Sequence, residues 1–259
     1  MMETVVLVPS CDRYSDLWAP FFALFRRFWP DCPYRVCLLT NELTPRIPGI
    51  DVIAVGPDVS WSDNLAAALA RLPERYVLMF IEDLFIVRRV RSAQVTRIVS
   101  EAIRIGARYL RLSNTPPPDA PFNRSFGLVA PGALYRTSTV LSLWDRLTLA
   151  SLLATGESAW QFETAGSVRS DTIDGFYATR RPLIHVANGV IKGRWRRSVL
   201  RELAPLGVRA GDRGVMTVGE EFRFRLLLAR SRLLAALPSN RRRQVRRVLS
   251  EWLGWARHA

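Results

Sequence analysis

The chain has 259 residues, 49% hydrophobic and 10% aromatic, which is enough apolar matter for a substantial core and excludes a disordered chain. Its formal net charge is +14, nearly all from arginine, since Lys192 is the single lysine. Only two histidines occur, His185 and His258, which excludes a zinc site built on several imidazoles; three cysteines without CxxC spacing read as small buried residues in a reducing compartment.

In chain order, the start MMETVVLVPSCDRYSD lacks a basic segment followed by a long apolar run, so it does not read as a secretion signal. No apolar stretch reaches the ~20 residues of a membrane span. TVVLVPS reads as a buried strand and Asp12 to Phe28 as an amphipathic helix with an aromatic face. YRVCLLT and IDVIAV read as strands, Ser62 to Leu72 as a helix, YVLMFI as a fourth strand, Ser92 to Ile105 as a helix and ARYLRLS as a strand. Continuously apolar strands separated by helices predict a mostly parallel sheet covered on both faces, with a ligand crevice at the carboxyl ends of the strands. The proline-rich NTPPPDAPFNRS is a loop. FGLVAPGALYR predicts a hairpin, Ser138 to Ala154 a helix, ESAWQFETAGSVRS a second helix, and RPLIHVANG a strand ending in a glycine turn.

From Glu220 to Ala259 there are ten arginines and three glutamates, half of the chain's excess charge. Val245, Val248, Leu249, Trp252 and Leu253 recur at helical spacing, with Arg241, Arg242, Arg243, Arg246 and Arg247 mostly off that face. Such a basic amphipathic helix suits an anionic membrane surface; an ordinary packed helix with a solvated arginine face reads equally well. The domain reading is a catalytic-sized unit over 1–210 and a basic helical extension over 211–259.

Within YVLMFIEDLFIV, two adjacent carboxylates, Glu82 and Asp83, interrupt an otherwise apolar run. Ionised carboxylates out of water are costly. They serve to cap the following turn, to meet an arginine such as Arg88, Arg89 or Arg91, or to hold a divalent cation. Mg2+ and Mn2+ prefer oxygen ligands and take one or two protein carboxylates plus substrate phosphates. HVANGVIKGRW supplies a possible second half. His185 would complete a metal shell, Gly189 would let the backbone approach a phosphate, and Lys192 would supply a point charge. The competing reading of His185 is a satisfied structural histidine.

With these three segments in order, the sequence resembles a GT-A glycosyltransferase of the kind that builds bacterial surface polysaccharides. SCDRYSDLWAPFFALFRRFWPDCPYRVCLLTN resembles the first strand, helix and second strand of such proteins; YVLMFIEDLFI is similar to their DxD metal motif, with Asp83 its most secure member. HVANGVIKGRW is similar to the HxxGxxKPW element of family 8 transferases, with one extra residue between histidine and glycine and Gly193-Arg194 in place of the proline. The resemblance spans roughly residues 4 to 200. It implies a GT-A fold with a Rossmann-like nucleotide-binding half and a nucleotide-diphosphate sugar as donor. It also implies a Mn2+ or Mg2+ cofactor and a glycan or lipid-linked hydroxyl acceptor. Ser10 and Asp12 would face the nucleoside and Asn64 the base or ribose, although Ser60-x-x-Asp63 also reads as a plain helix cap. Glu163 would be the catalytic base, Glu157 its rival, and Trp160 an acceptor-pocket wall sharing the face of Glu163; Asp171 and Asp174 are further candidates. Trp160–Glu163 favours inversion and the family 8 likeness favours retention.

The expected location is cytoplasmic, peripheral to the inner membrane. A sugar nucleotidyltransferase is the rival enzyme, though PSCDRYSD lacks the glycine-rich loop it would need. A basic nucleic-acid-binding protein is the rival without catalysis, disfavoured because half the excess charge lies in the tail.

Overall fold

The apolar, β-branched opening TVVLVP forms the centre of a large sheet. In the computed structural model, which describes residues 3–133 and 135–235, β1 (Thr4–Pro9) pairs in parallel with β2 (Arg35–Thr40), and β2 with β3 (Asp51–Ala54). On its other side β1 pairs in parallel with β4 (Tyr76–Met79). A short β5 (Leu84–Ile86) leaves the main sheet, which continues through β6 (Tyr109–Arg111), β7 (Ala120–Pro121), β8 (Phe126–Leu128), β9 (Ser142–Asp145) and β10 (Phe176–Thr179). The order is β3-β2-β1-β4-β9-β6-β10-β8-β7. Only β9 and β8 run against the rest. The carboxyl ends of β1, β4, β6 and β10 therefore share one edge.

Alternate residues of the strands feed two cores. Val6, Val8, Leu38 and Leu78 pack against α1 (Ser15–Phe28) and, later in the chain, α3 (Ser92–Arg104). Val5, Leu7, Leu39, Val77 and Met79 pack against α2 (Trp61–Ala70) and α4 (Arg146–Leu152). Helices thus cover both faces of a mostly parallel α/β sheet, as continuously apolar strands require. The aromatic face of α1 joins the first core: Phe25 lies 5.7 Å from Phe80 and 5.5 Å from Trp29, ring centre to ring centre.

Two predictions fail here. Residues 138–154 are not one helix, because Ser142–Asp145 form β9, wedged between β4 and β6 with all four residues buried. Leu143 and Trp144 point to opposite cores, which only an extended chain allows, and Asp145 then caps α4 by accepting from the Thr148 N–H at 2.9 Å. FGLVAPGALYR is not a self-contained hairpin either: β8 pairs with β7 before it and β10 after it.

The second predicted helix is present but irregular. α5 (Ala159–Gln161) and α6 (Ser167–Arg169) are joined by a π-helical turn, Phe162–Gly166. β11 (Val186–Asn188) pairs antiparallel with β5, and β12 (Val190–Ile191) with β13 (Arg194–Trp195).

α7 (Arg197–Leu203) and α8 (Val218–Ala235) complete the described chain. The domain boundary expected at residue 210 falls inside the packed unit. The backbone of Val215 bridges to Trp195, and buried Glu221 accepts from the Ser198 N–H at 3.1 Å. The predicted apolar stripe of Val245, Val248, Leu249, Trp252 and Leu253, with its arginines, lies outside the described residues.

Candidate functional site

β4 ends at Met79, and the chain turns through Ile81 to Asp83 before β5 begins. The two acids occupy that turn, at the shared carboxyl edge. Glu82 is only 5% exposed, and its Oε2 is buried without a hydrogen-bond partner among the described residues. Ser10, just past β1, lies near the same carboxyl and works against its rise, and its hydroxyl accepts from the Trp18 indole N–H at 2.7 Å. Burial, reinforced by the charge of Asp83, pushes the Glu82 carboxyl up to about 8. Burial also raises Asp83, to about 6.

Of the roles open to these acids, the local arginine is not realised among the described residues. Arg89 instead reaches Asp31 at 3.5 Å. Arg88 and Arg91 make no ion pair with either acid among the described residues. The positive group nearest in effect is Arg213, whose charge opposes both upward shifts. Its guanidinium is already bound. It donates to both oxygens of Asp16 at 2.9 and 2.6 Å, to the carbonyls of Arg13 and Gly193, and lies 4.6 Å from the centre of the Tyr14 ring. Arg213 and Tyr14 both lie close enough to the acids for their charges to interact, and sequence reasoning missed both; no local pattern marks a contact between residues 16 and 213.

The predicted second half of the site is reorganised. In the β11–β5 pair Val186 faces Ile86 and Asn188 faces Leu84. His185 therefore stands at the far end, its carbonyl accepting from the Val87 N–H at 3.0 Å and its side chain exposed. Four residues of strand separate Val87 from Asp83, roughly 13 Å, so His185 does not join the acids as a ligand. Gly189 does lie beside them, donating its N–H to the Asp83 carbonyl at 2.8 Å. Its lack of a side chain serves packing: a Cβ there would sit 2.5 Å from the Phe85 ring and 2.9 Å from Trp195, which stack at 5.3 Å. Lys192 and Gly193 form the two-residue turn between β12 and β13 with φ of +49° and +75°, the geometry of a type I′ hairpin. The exposed Lys192 is thus held in a left-handed conformation that costs a non-glycine residue about 1 kcal/mol or more. The turn is tied to the crevice mouth through Arg213.

Two of the three residues expected near a nucleoside are used otherwise. Asp12 accepts from the backbone N–H groups of Asn41, Glu42 and Leu43 at 3.0, 2.9 and 3.0 Å, clamping the end of β1 to the end of β2. Asn64 is buried, donating to Asp58 at 2.7 Å and bracing the loop before α2. Ser60 caps α2, accepting from the Asp63 N–H at 3.1 Å, which accounts for the Ser-x-x-Asp pattern. Ser10 alone keeps contact with the acid turn.

On the other side of the crevice stands Glu163, in the π turn. Its Oε1 accepts from the Ser138 hydroxyl at 3.0 Å, the Thr139 N–H at 2.9 Å and the Thr139 hydroxyl at 3.1 Å. Burial raises its carboxyl, and Arg111 works against that rise. These partners lie just before β9, whose Ser142 pairs with Met79 of β4 and Arg111 of β6. The structure therefore places Glu163 and the Glu82–Asp83 turn on the same rim. The buried Arg111, unmarked in the sequence, donates to the carbonyls of Tyr135 at 3.0 Å and Pro116 at 2.6 Å, tying together two loops that wall this side.

The rivals of Glu163 are otherwise engaged or exposed to solvent, although Asp171 lines the same cavity as Glu163. Glu157 is gripped by both guanidinium nitrogens of Arg169 at 2.8 and 2.6 Å. Asp171 accepts from the Gly132 N–H, and Asp174 is exposed. Trp160 does not share the face of Glu163. It is 71% exposed, as is Val168, while Glu163 turns inward.

Among the described residues no three His, Cys, Asp or Glu side chains are grouped to hold a metal. Glu82 and Asp83 nonetheless fit a hard divalent cation: two acid groups lie adjacent at a rim, both raised by burial, with one oxygen lacking any partner.

No protein-family model matches the chain, and no curated protein is similar to it in sequence. Among solved structures, residues 1–349 of TarS from S. aureus are similar at 9% identity and a TM-score of 0.46, over 68% of this chain and 60% of that one. The mannosyltransferase PcManGT from Pyrobaculum calidifontis, in complex with GDP-Man and Mn2+, is similar at 12% identity and a TM-score of 0.48, over 74% of this chain and 58% of that one. Mannosyl-3-phosphoglycerate synthase from Rubrobacter xylanophilus gives 12% identity and a TM-score of 0.35, over 57% and 55%. The chain thus spans 60% or less of each of these three structures, and no residue role is carried over from them.

Proposed function

We propose that this chain is a metal-dependent glycosyltransferase that moves a sugar from a nucleotide-diphosphate donor to a hydroxyl of a glycan or lipid-linked acceptor in surface-polysaccharide synthesis. The observation that carries the reading is the pair Glu82–Asp83. At the carboxyl edge of the sheet, buried Glu82 and half-buried Asp83 form no ion pair with an arginine and meet no histidine among the described residues, and the one cation acting on both, Arg213, is already bound to Asp16. A divalent cation held there to offset the charge of a diphosphate would account for them.

Asp83 and Glu82 would hold Mn2+ or Mg2+, which when bound neutralises charge on a departing diphosphate. Ser10, just past β1, would steady the Glu82 carboxyl. Lys192, on its turn tied to Arg213, supplies a positive charge at the crevice mouth. Glu163, its Oε1 pinned by three donors, takes the acceptor proton on Oε2 as the hydroxyl attacks. A base on this rim and a His185 that stands away from the acids both support inversion. The basic chain beyond the described residues would rest on the inner face of the membrane, where lipid-linked acceptors reside.

Thermal shift with UDP and GDP, with and without Mn2+, tests the site. The full-length chain is stabilised by one nucleotide only with the metal, and Asp83→Asn weakens that binding roughly 100-fold. Glu163→Gln keeps nucleotide binding and lowers turnover about 100-fold or more. If Asp83→Asn leaves metal-dependent stabilisation intact, the cation is held elsewhere and the reading fails.

A further inference from the structure

A second concavity lies on the same sheet edge, away from the acids. This cavity of about 440 Å³ is lined by Arg97 and Ile98 of α3, Arg124 before β8, Thr179 at the end of β10, and Arg180 and Arg181 just after it. Its volume is that of a small-molecule site. Four arginines border it, and no carboxylate does. Its buried side is formed by Ile98 and Thr179.

Two features set this cavity apart from an ordinary solvated arginine surface. First, Thr179 is 1% exposed and its hydroxyl has no hydrogen-bond partner among the described residues. An unmet buried hydroxyl costs about 1–3 kcal/mol unless a ligand or water meets it. Second, the arginines are scarcely neutralised by the protein. Arg97 reaches Glu101 only at 3.8 Å, and Glu101 also accepts from the Asn123 amide at 3.0 Å. Arg180 touches just the Asn123 carbonyl, at 3.5 Å. Arg124 and Arg181 make no ion pair among the described residues. Like charges around one cavity repel, and a multiply charged anion with several acceptor oxygens answers both the arginines and the hydroxyl.

We propose that this cavity binds a phosphate-bearing group, with Arg124 and Arg181 as its principal cationic contacts and Thr179 as the hydroxyl donor on its buried side. It is separate from the acid turn. β10 lies three places from β4 in the sheet, about 14 Å at the usual strand spacing. A phosphate held here is therefore not the diphosphate of a donor bound at Glu82–Asp83. The site stands whether or not the acids bind a nucleotide sugar.

The test uses the full-length chain in EDTA, which removes any cation from the acid turn. Inorganic pyrophosphate is titrated calorimetrically, and vesicles of phosphatidylcholine with and without phosphatidic acid are sedimented with the protein. The expected result is saturable pyrophosphate binding that weakens with salt. It falls at least about tenfold in Arg124→Ala/Arg181→Ala. It falls several-fold in Thr179→Val, a variant that fills the same space and keeps or raises Tm. Vesicle binding that depends on phosphatidic acid and falls in the double variant assigns the phosphate to a lipid headgroup. Pyrophosphate binding alone that falls assigns it to a soluble phosphate ester. If neither probe binds, or if both bind the double variant as they bind the parent, the proposal is overturned.

Discussion

At neutral pH the Glu82 carboxyl, held up at about 8, keeps most of its proton, while Asp83, at about 6, has lost most of its own. The sign of the stability effect follows. An unfolded Glu titrates at its ordinary 4.5, so the folded state binds the proton more tightly, and stability falls as pH rises from 4.5 through about 8. Glu82→Gln removes this slope: its Tm advantage over the parent is small at pH 5 and grows toward pH 8, which calorimetry at several pH values reads directly. A cation that displaces the proton also binds more tightly across the same window. If the proposed site holds a cation, the expected outcome is a Mn2+-dependent nucleotide affinity that rises from pH 6 to 8 in the parent and flattens in the variant. The sequence made these two residues conspicuous because charge in a continuous apolar run has to be explained. Arg213 and Arg111 carried no such flag: arginine is everywhere in this chain, and their partners are distant in sequence or are backbone carbonyls.

Among the elements, the first half of the sheet was legible because strand and helix periods alternate cleanly from Thr4 to Arg111. The second half was not. β9 is four residues whose apolar spacing merges with that of α4, and β10 (FYAT) is too short to show a period of two. Likewise β5 was hidden inside the run that contains β4. The glycine of HVANG was legible as a special position, but for the wrong physical cause, since pattern alone cannot tell a phosphate's approach from that of two stacked rings. Gly189→Ala therefore costs about 1–3 kcal/mol of stability, by overpacking against the fully buried Phe85 and Trp195. Urea denaturation with an unchanged slope and a lower midpoint would record this; an unchanged midpoint would show that the rings yield freely.

Taken as a whole, the molecule divides its charge. The described fold holds many of its arginines in ion pairs and carbonyl contacts, such as Arg35 with Glu74 at 2.8 Å and the buried Arg136 with three backbone carbonyls. The last 24 residues add six arginines against one glutamate. Among the described residues no helix is long and apolar enough to cross a membrane. Peripheral attachment through those last residues predicts that truncation after Ala235 preserves the fold, which keeps Glu221 and its Ser198 contact, but lowers sedimentation with anionic vesicles at low salt. Equal sedimentation of the two forms would remove the membrane role. Cutting at residue 210 is a different experiment, since it also removes Arg213 and the strand-like contact of Val215 with Trp195.

The grip of Arg213 on Asp16, 197 positions earlier in the chain, has a temporal meaning. A protein emerging from the ribosome exposes its first strands and helix long before this guanidinium is made. The entrance beside the acid turn is therefore finished only when synthesis has passed the whole sheet. A nascent chain arrested short of Arg213 carries both acids of the turn but lacks the guanidinium whose charge acts on them, so the electrostatics of that turn reach their final form only near the end of synthesis.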